Sequence, residues 1–122
     1  MHELSLGEAL VKVVLEELAA RKVPPGGLRL ARVAVGRLHQ VVPDALQFAY
    51  EAFIQDTPAA GSKLELHEIP LLAHCPDCQW DGEIEPPIFR CGGCQASRLE
   101  WRTGREFYLE ALEIETDDNA NR

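Results

Sequence analysis

Apolar positions repeat along this chain with two different periods, one typical of helices and one typical of strands. Over residues 5–22 they recur every three or four positions, as on a helix with one buried face. Ser5 and Glu8 have the spacing of a capping box, in which each side chain accepts a backbone N–H at a helix start. The pattern predicts a helix from Ser5 to about Lys22, ended by "VPPGG" at 23–27. Its buried stripe consists of Val11, Val14, Leu15 and Leu18.

Four further segments have a regular pattern. "LRLARVAVG" at 28–36 is rich in aliphatic and β-branched residues and predicts a strand, covered on both faces for part of its length. Residues 42–58 predict a second helix that begins with a proline and an aspartate. Its apolar face consists of Leu46, Ala49, Tyr50 and Phe53. Residues 64–70 and 105–115 predict two more strands.

Residues 71–105 differ from the rest of the chain. They hold all four cysteines, both tryptophans and three prolines, and they have no helical period. An isolated pair of strands is marginally stable in water, so the strand at 105–115 is expected to return and complete a three-stranded sheet. The predicted fold is therefore α+β, with two helices on a three-stranded mixed sheet and an insertion at 71–105.

Charge and composition exclude several classes of function. The chain has 122 residues, a net charge of −8 and a pI of about 4.9, so it would repel a phosphate backbone and we expect no nucleic-acid partner. It contains no apolar run long enough for a membrane span and no signal-peptide pattern, so we expect a cytoplasmic protein without a membrane partner. In a reducing cytosol, closely paired cysteines favour metal binding over disulfides.

The cysteines occur as "CPDC" at 75–78 and "CGGC" at 91–94, which gives the pattern C-x2-C-x12-C-x2-C. Two such turns can direct four sulfurs at one tetrahedral zinc ion, and the proline and glycines favour tight turns. The predicted zinc ligands are Cys75, Cys78, Cys91 and Cys94. Because protein would fill all four positions, this zinc is expected to be structural rather than catalytic. A redox-active dithiol pair is the alternative.

The amino terminus offers a second possible metal site. The Met1 amine, the His2 amide nitrogen and the His2 imidazole can close fused chelate rings around one ion, and the Glu3 amide follows. Nitrogen donors in a plane suit Ni(II) or Cu(II). On chemistry alone this signal is weak, because a histidine at position 2 is usually solvated and idle.

The other histidines and the tryptophans have simpler interpretations. His39 is expected to be solvated in a loop, and His67 to lie on the outer face of a strand. His74 is expected to support the cysteine cluster rather than to bind the metal. Trp80 and Trp101 are expected to pack over the cysteine module rather than to stack on bases. The sequence contains no nucleophile motif and no glycine-rich phosphate loop, so no enzymatic activity is expected.

Four segments together resemble the HypA family of nickel metallochaperones, which are accessory proteins of nickel–iron hydrogenase maturation. They are "MHELSLGEAL", "VGRL…VVPDALQFAYE", "CPDC…CGGC" and "LEALEIE". The resemblance covers nearly the whole chain. It implies a nickel-binding domain at 1–70 plus 106–122 and a zinc-ribbon-like zinc domain at 71–105.

The resemblance also implies a site and partners. It implies nickel at His2, with the Met1 amine and Glu3 backbone as co-ligands, and zinc at the four cysteines. It implies a maturation GTPase as partner and the hydrogenase large subunit as client; we expect a monomer or weak dimer. Some members carry histidines just after their cysteine pairs, but Gln79 and Gln95 stand there in this chain, so no histidine–zinc switching is expected.

The predicted helix start bears on the delivery of a metal. With helix capping at Ser5, residues 1–4 should remain mobile enough to load and release a metal. Two alternative functions are a zinc-ribbon adaptor with no nickel role and a dithiol oxidoreductase. In either of them His2 would have no function.

Overall fold

The structure, a computed structural model, describes residues 2–115, which form two α-helices, six strands and one 3-10 turn. The helices are α1 (His2–Ala20) and α2 (Pro43–Phe53). The strands are β1 (Leu28–Gly36), β2 (Lys63–Ile69), β3 (Leu72–His74), β4 (Asp81–Glu83), β5 (Glu100–Thr103) and β6 (Phe107–Ile114), and the 3-10 turn is Arg37–His39. Neither helix in this part of the chain is long and apolar enough to cross a membrane.

α1 begins three residues earlier than predicted. It already includes His2, so the capping box at Ser5 and Glu8 is wrong, and both of these side chains are exposed within the helix. The carboxylate of Glu3 accepts a hydrogen bond of 2.9 Å from the backbone N–H of Val42, which fixes the first turn of α1 against the start of α2. The prediction that residues 1–4 lie outside the helix is therefore wrong for residues 2–4, and Met1 lies outside the described residues.

The two helices approach each other closely at a glycine. A Cβ atom at Gly7 would lie 2.7 Å from the Cβ of Ala49, which is closer than van der Waals contact allows. The predicted stripe of α1 is buried except for Leu15, which is half-buried, and on α2 Phe53 is 36% exposed. The fully buried side chains of these helices and the residue that follows α2 are Val14, Leu18, Leu46, Ala49, Tyr50 and Ile54.

α2 ends five residues before the predicted end at residue 58. Ile54 forms the C-cap, and the hydroxyl of Thr57 donates a hydrogen bond of 2.6 Å to the carbonyl of Ile54. This side-chain bond satisfies a carbonyl that a continuing helix would have used, so the chain turns instead.

The three predicted strands form one mixed sheet in the order β2-β1-β6, which confirms the predicted architecture. β1 is the central strand. Val33, Ala34 and Val35 are all buried although they are consecutive, so this part of β1 is covered on both faces, as its sequence predicted.

A second sheet, in the order β4-β3-β5, was not predicted. β3 pairs antiparallel with β4 and with β5, and Ala73 lies opposite both Gly82 and Trp101. Its small core consists of Leu71, Ala73 and Ile84. Strands of three or four residues are too short to show a period of two, so their sequence carries no clear signal.

The chain divides into two compact units, which we call the helix–sheet unit and the cysteine unit. Within the described residues, the helix–sheet unit contains 2–33, 41–66 and 108–115. The cysteine unit contains Ala34–Gln40 and His67–Phe107. That these units correspond to separate nickel and zinc domains stays a prediction.

Candidate metal centres

The four cysteine sulfurs form a cluster in the cysteine unit. All four Sγ atoms lie within 4.8 Å of one another. The Sγ atoms of Cys75 and Cys94 are 3.7 Å apart, and those of Cys78 and Cys91 are 3.5 Å apart. Tetrahedral zinc with Zn–S bonds of about 2.3 Å holds its sulfurs about 3.8 Å apart. The cluster therefore fits a structural zinc site, with one buried and one exposed cysteine from each pair.

The two cysteine loops repeat the same backbone geometry. The N–H of Gln79 donates to the carbonyl of Cys75 at 2.8 Å, and the N–H of Gln95 donates to the carbonyl of Cys91 at 3.1 Å. Both glutamines have left-handed backbone conformations, with φ of 68° and 67°. The unusual conformation thus falls on the residue after each pair and not on the glycines or proline within it. The repetition aims two sulfurs from each loop at one point.

The glycines near the cluster make room for one indole ring. A Cβ at Gly92 would lie 2.6 Å from Cζ2 of Trp80, and a Cβ at Gly82 would also clash with this ring. Trp80 and Trp101 both pack against the small core of the unit, as predicted, and Trp101 makes an edge-to-face contact with Phe89. Trp80 therefore packs against the second cysteine loop, and Trp101 packs against the small core.

Backbone amides stabilise negative charge at one of the buried sulfurs. Burial alone would raise the pKa of Cys91, but the N–H groups of Cys94 and Gly93 donate to its Sγ at 3.3 and 3.2 Å and lower that pKa to about 6. The neighbouring Cys78 holds its proton toward Cys91, and its pKa is raised to about 12. Amide hydrogen bonds to sulfur also support thiolates that bind a metal.

The histidines outside the amino terminus contact other groups. Nδ1 of His74 lies 2.9 Å from Oδ1 of Asp81, and the sulfur cluster includes no histidine from residues 2–115. The prediction for His39 is wrong: it belongs to the 3-10 turn, its Nε2 lies 3.0 Å from the Arg105 carbonyl oxygen, and its ring packs edge-on against Phe107. His67 is exposed on β2.

His2 is the first residue of α1, in the helix–sheet unit. Its side chain is 48% exposed, and its Nδ1 lies 3.9 Å from Oε2 of Glu3. The first four N–H groups of an α-helix have no acceptor within the helix. Helical hydrogen bonding therefore does not engage the amide nitrogens of residues 2 and 3, which lie next to this imidazole. The predicted contribution of Met1 falls outside the described residues.

The side chain of Glu3 has a role that the sequence did not reveal. Only 15% of it is exposed, and hydrogen bonds from the amides of Val42 and of Glu3 itself lower the pKa of its carboxyl. Val42 occupies the N-cap position of α2 and forms no side-chain cap. Glu3 accepts the N–H of this N-cap residue, as the acidic residue of a capping box does, and places negative charge at the positive end of α2. The sequence contains one sign that α2 needs an acceptor from elsewhere. Its predicted start at "VVPDAL" has no serine, threonine, asparagine or aspartate before the proline.

Sequence comparisons find relatives of this chain over nearly its whole length. Residues 1–114 match the profile of the family described as "Hydrogenase/urease nickel incorporation, metallochaperone, hypA". A protein of Solidesulfovibrio magneticus named hydrogenase maturation factor HypA is 38% identical, over 94% of this chain and 100% of its own length. A protein of the same name from Lawsonia intracellularis is 36% identical over the same shares of the two chains.

Solved structures show the same fold. The solution structure of the Ni metallochaperone HypA from Helicobacter pylori superposes with a TM-score of 0.63 at 20% identity, over 94% of this chain and 98% of that one. A second solution structure of a HypA protein also gives 0.63, at 19% identity, over 93% and 96% of the two chains. The chain belongs to the HypA family of hydrogenase and urease nickel-incorporation metallochaperones.

Proposed function

We propose that this protein binds Ni(II) at its amino terminus and delivers it during maturation of nickel–iron hydrogenase. The observation that carries the proposal is the position of His2. Its half-exposed imidazole stands at the first residue of α1, beside two amide nitrogens that the helix does not use. Family membership supplies the identity of the metal.

The proposed nickel ligands are all nitrogens. They are the His2 imidazole and amide, the Met1 amine and the backbone amide of Glu3. Fused chelate rings hold such donors in one plane, which Ni(II) accepts and which Zn(II) does not prefer. Nickel binding to the Glu3 amide would replace the hydrogen bond from this amide to its own carboxylate. The carboxylate would keep its bond to the Val42 amide and hold the first turn in place while the metal enters and leaves.

The proposed role of the cysteines is to hold a structural zinc. Their sulfur separations fit a tetrahedral ion, and the cage leaves no ligand position open for a substrate. The core beside them is small, so zinc would provide much of the folding free energy of the cysteine unit.

The proposed partners and cellular location follow from the family and from the cysteine thiols. Relatives are named hydrogenase maturation factors, and we propose that this chain acts with a maturation GTPase on the hydrogenase large subunit. It would act as a carrier rather than as a catalyst, as a monomer or weak dimer. Four closely grouped thiols suit the reducing cytoplasm.

Nickel titration of the untagged chain beside its His2→Ala variant tests the proposal. Changes outside the ligand shell weaken metal sites by about 10–100-fold, so loss of a direct ligand should weaken nickel binding by more than about a hundredfold. The matched control is His67→Ala, at an exposed histidine of strand β2, which should bind nickel normally. Equal affinity of His2→Ala and the parent would refute the site.

An amino-terminal extension tests the Met1 amine separately. Two extra residues before Met1 would move the charged amine away from His2 and open a chelate ring. We expect markedly weaker nickel binding than in a chain with the same residues added at its carboxyl end. Equal affinities would remove the amine from the ligand set.

A further inference from the structure

β6 is an edge strand of the sheet in the helix–sheet unit. β6 pairs with β1 on one side, and no strand within residues 2–115 pairs with it on the other. Proteins usually protect such edges with charged side chains, above all lysine, with proline or with a very short strand. β6 is eight residues long and reads "FYLEALEI", with two glutamates but without proline or lysine. β2, at the opposite edge, begins with Lys63.

A groove of about 410 Å³ runs along this strand, with α1 as its second wall. Successive side chains of a strand point to opposite faces, so a groove on one face would be lined by every second residue. Here consecutive residues of β6 line it, which means that the groove follows the edge where backbone N–H and C=O groups point. These residues are Tyr108, Leu109, Glu110, Ala111 and Leu112.

The walls of the groove combine exposed apolar side chains with charged ones. Val13 of α1 is 41% exposed and Tyr108 of β6 is 51% exposed, although both are large apolar or aromatic side chains. Glu17 and Arg21 form an ion pair at 3.1 Å and offset each other, so Glu110 gives the groove an excess of negative charge. An occupant that alternates apolar and basic side chains would match both features.

We propose that the outer edge of β6 receives an extended segment of another protein, apolar at alternate positions and carrying lysine or arginine. The segment adds to the sheet as a fourth strand through main-chain hydrogen bonds, and its side chains lie in the groove against α1. A second copy of this chain is disfavoured as the occupant, because it would bring the same acidic strand of a chain with net charge −8 against this edge.

The test uses a fluorescent, end-capped peptide of about ten residues in which valine and lysine alternate. Fluorescence anisotropy measures its binding to the full chain, and hydrogen exchange measures protection of the β6 amides. An analogue with every second backbone amide N-methylated keeps the charge but cannot pair with an edge. An analogue with glutamate in place of lysine keeps the backbone but reverses the charge.

We expect binding of the valine–lysine peptide, slower exchange in β6, and little binding of either analogue. Glu110→Lys should weaken binding about fivefold. The control Glu16→Lys makes the same change of net charge on an exposed side of α1 outside the groove and should leave affinity nearly unchanged.

Several results would overturn the proposal. Equal binding of the N-methylated peptide would exclude strand addition, and equal effects of the two lysine variants would reduce the contact to general charge attraction. Sedimentation of the protein alone that showed a dimer disrupted by Glu110→Lys would assign the edge to a second copy. The His2→Ala variant should bind the peptide as the parent does, so this result is independent of nickel.

Discussion

The two units of this chain are stabilised in different ways. The helix–sheet unit buries large side chains completely, among them Leu18, Leu46 and Tyr50. The buried cluster beside the cysteines of the other unit is small, with Leu71, Ala73 and Ile84, and the aromatic side chains packed against it remain partly exposed. Apolar burial can support the first unit, whereas the proposed zinc would cross-link the second through its sulfurs.

This difference assigns different roles to the two proposed metals. A metal that is handed on must be able to leave without unfolding its site. His2 lies at the end of a helix that is packed by Gly7 and the apolar stripe, so loss of nickel would leave the fold intact. The cysteine cluster is itself part of the core of its unit, since Cys75 and Cys91 are buried, so loss of zinc would remove structure.

Removal of a zinc ligand should have the largest effect. We expect Cys75→Ala or Cys91→Ala to lose zinc and to unfold the cysteine unit, because structural zinc contributes on the order of 10 kcal/mol in small modules. Zinc analysis and amide hydrogen exchange would measure both effects. His74→Ala, which removes the contact with Asp81 but no zinc ligand, should keep its zinc. If the cysteine variants also lost all nickel binding, the two units would not be independent.

Crowding the contact between α1 and α2 should have a smaller effect on stability, confined to the helix–sheet unit. Gly7→Val would force a side chain against Ala49 and should lower the free energy of unfolding by about 3 kcal/mol. Ala9→Val introduces the same residue at an exposed position of α1 and should cost less than about 1 kcal/mol. Thermal unfolding and zinc content are the measurements. Zinc release by Gly7→Val would contradict the separation of the units.

Removal of the buried Tyr50 hydroxyl should have the smallest effect on stability, with a distinct pH dependence. The hydroxyl of Tyr50 lies 2.6 Å from that of Ser62, so Tyr50→Phe should cost about 1–2 kcal/mol by leaving Ser62 without this partner.

Burial raises the pKa of Tyr50, so above about pH 10 the unfolded chain loses this proton more readily than the folded one, and stability falls as pH rises. Tyr50→Phe should remove that part of the alkaline decline, whereas the control Tyr108→Phe, at an exposed tyrosine, should not. Identical alkaline unfolding of all three proteins would contradict the assignment.

The long elements were predictable because they are periodic. Both helices, β1, β2 and β6 followed from the spacing of apolar residues, and the cysteine spacing predicted which four sulfurs come together. The start of α1 was missed because a contact between Glu3 and Val42, 39 residues apart, determines it. The left-handed Gln79 and Gln95 were missed because the closed cysteine loops, and not the preference of glutamine, impose their conformation.

The most direct test follows both metals in one preparation between about pH 7.5 and 6, where histidine side chains change charge. Nickel affinity is measured by calorimetry, and zinc release is measured with a chromogenic chelator. Nitrogen ligands must lose protons to bind nickel, so the account predicts that nickel affinity falls steeply across this range while the cysteine unit keeps its zinc. Nickel affinity that stayed constant, or zinc that left together with nickel, would contradict a nickel site at the amino terminus separate from the cysteine cluster.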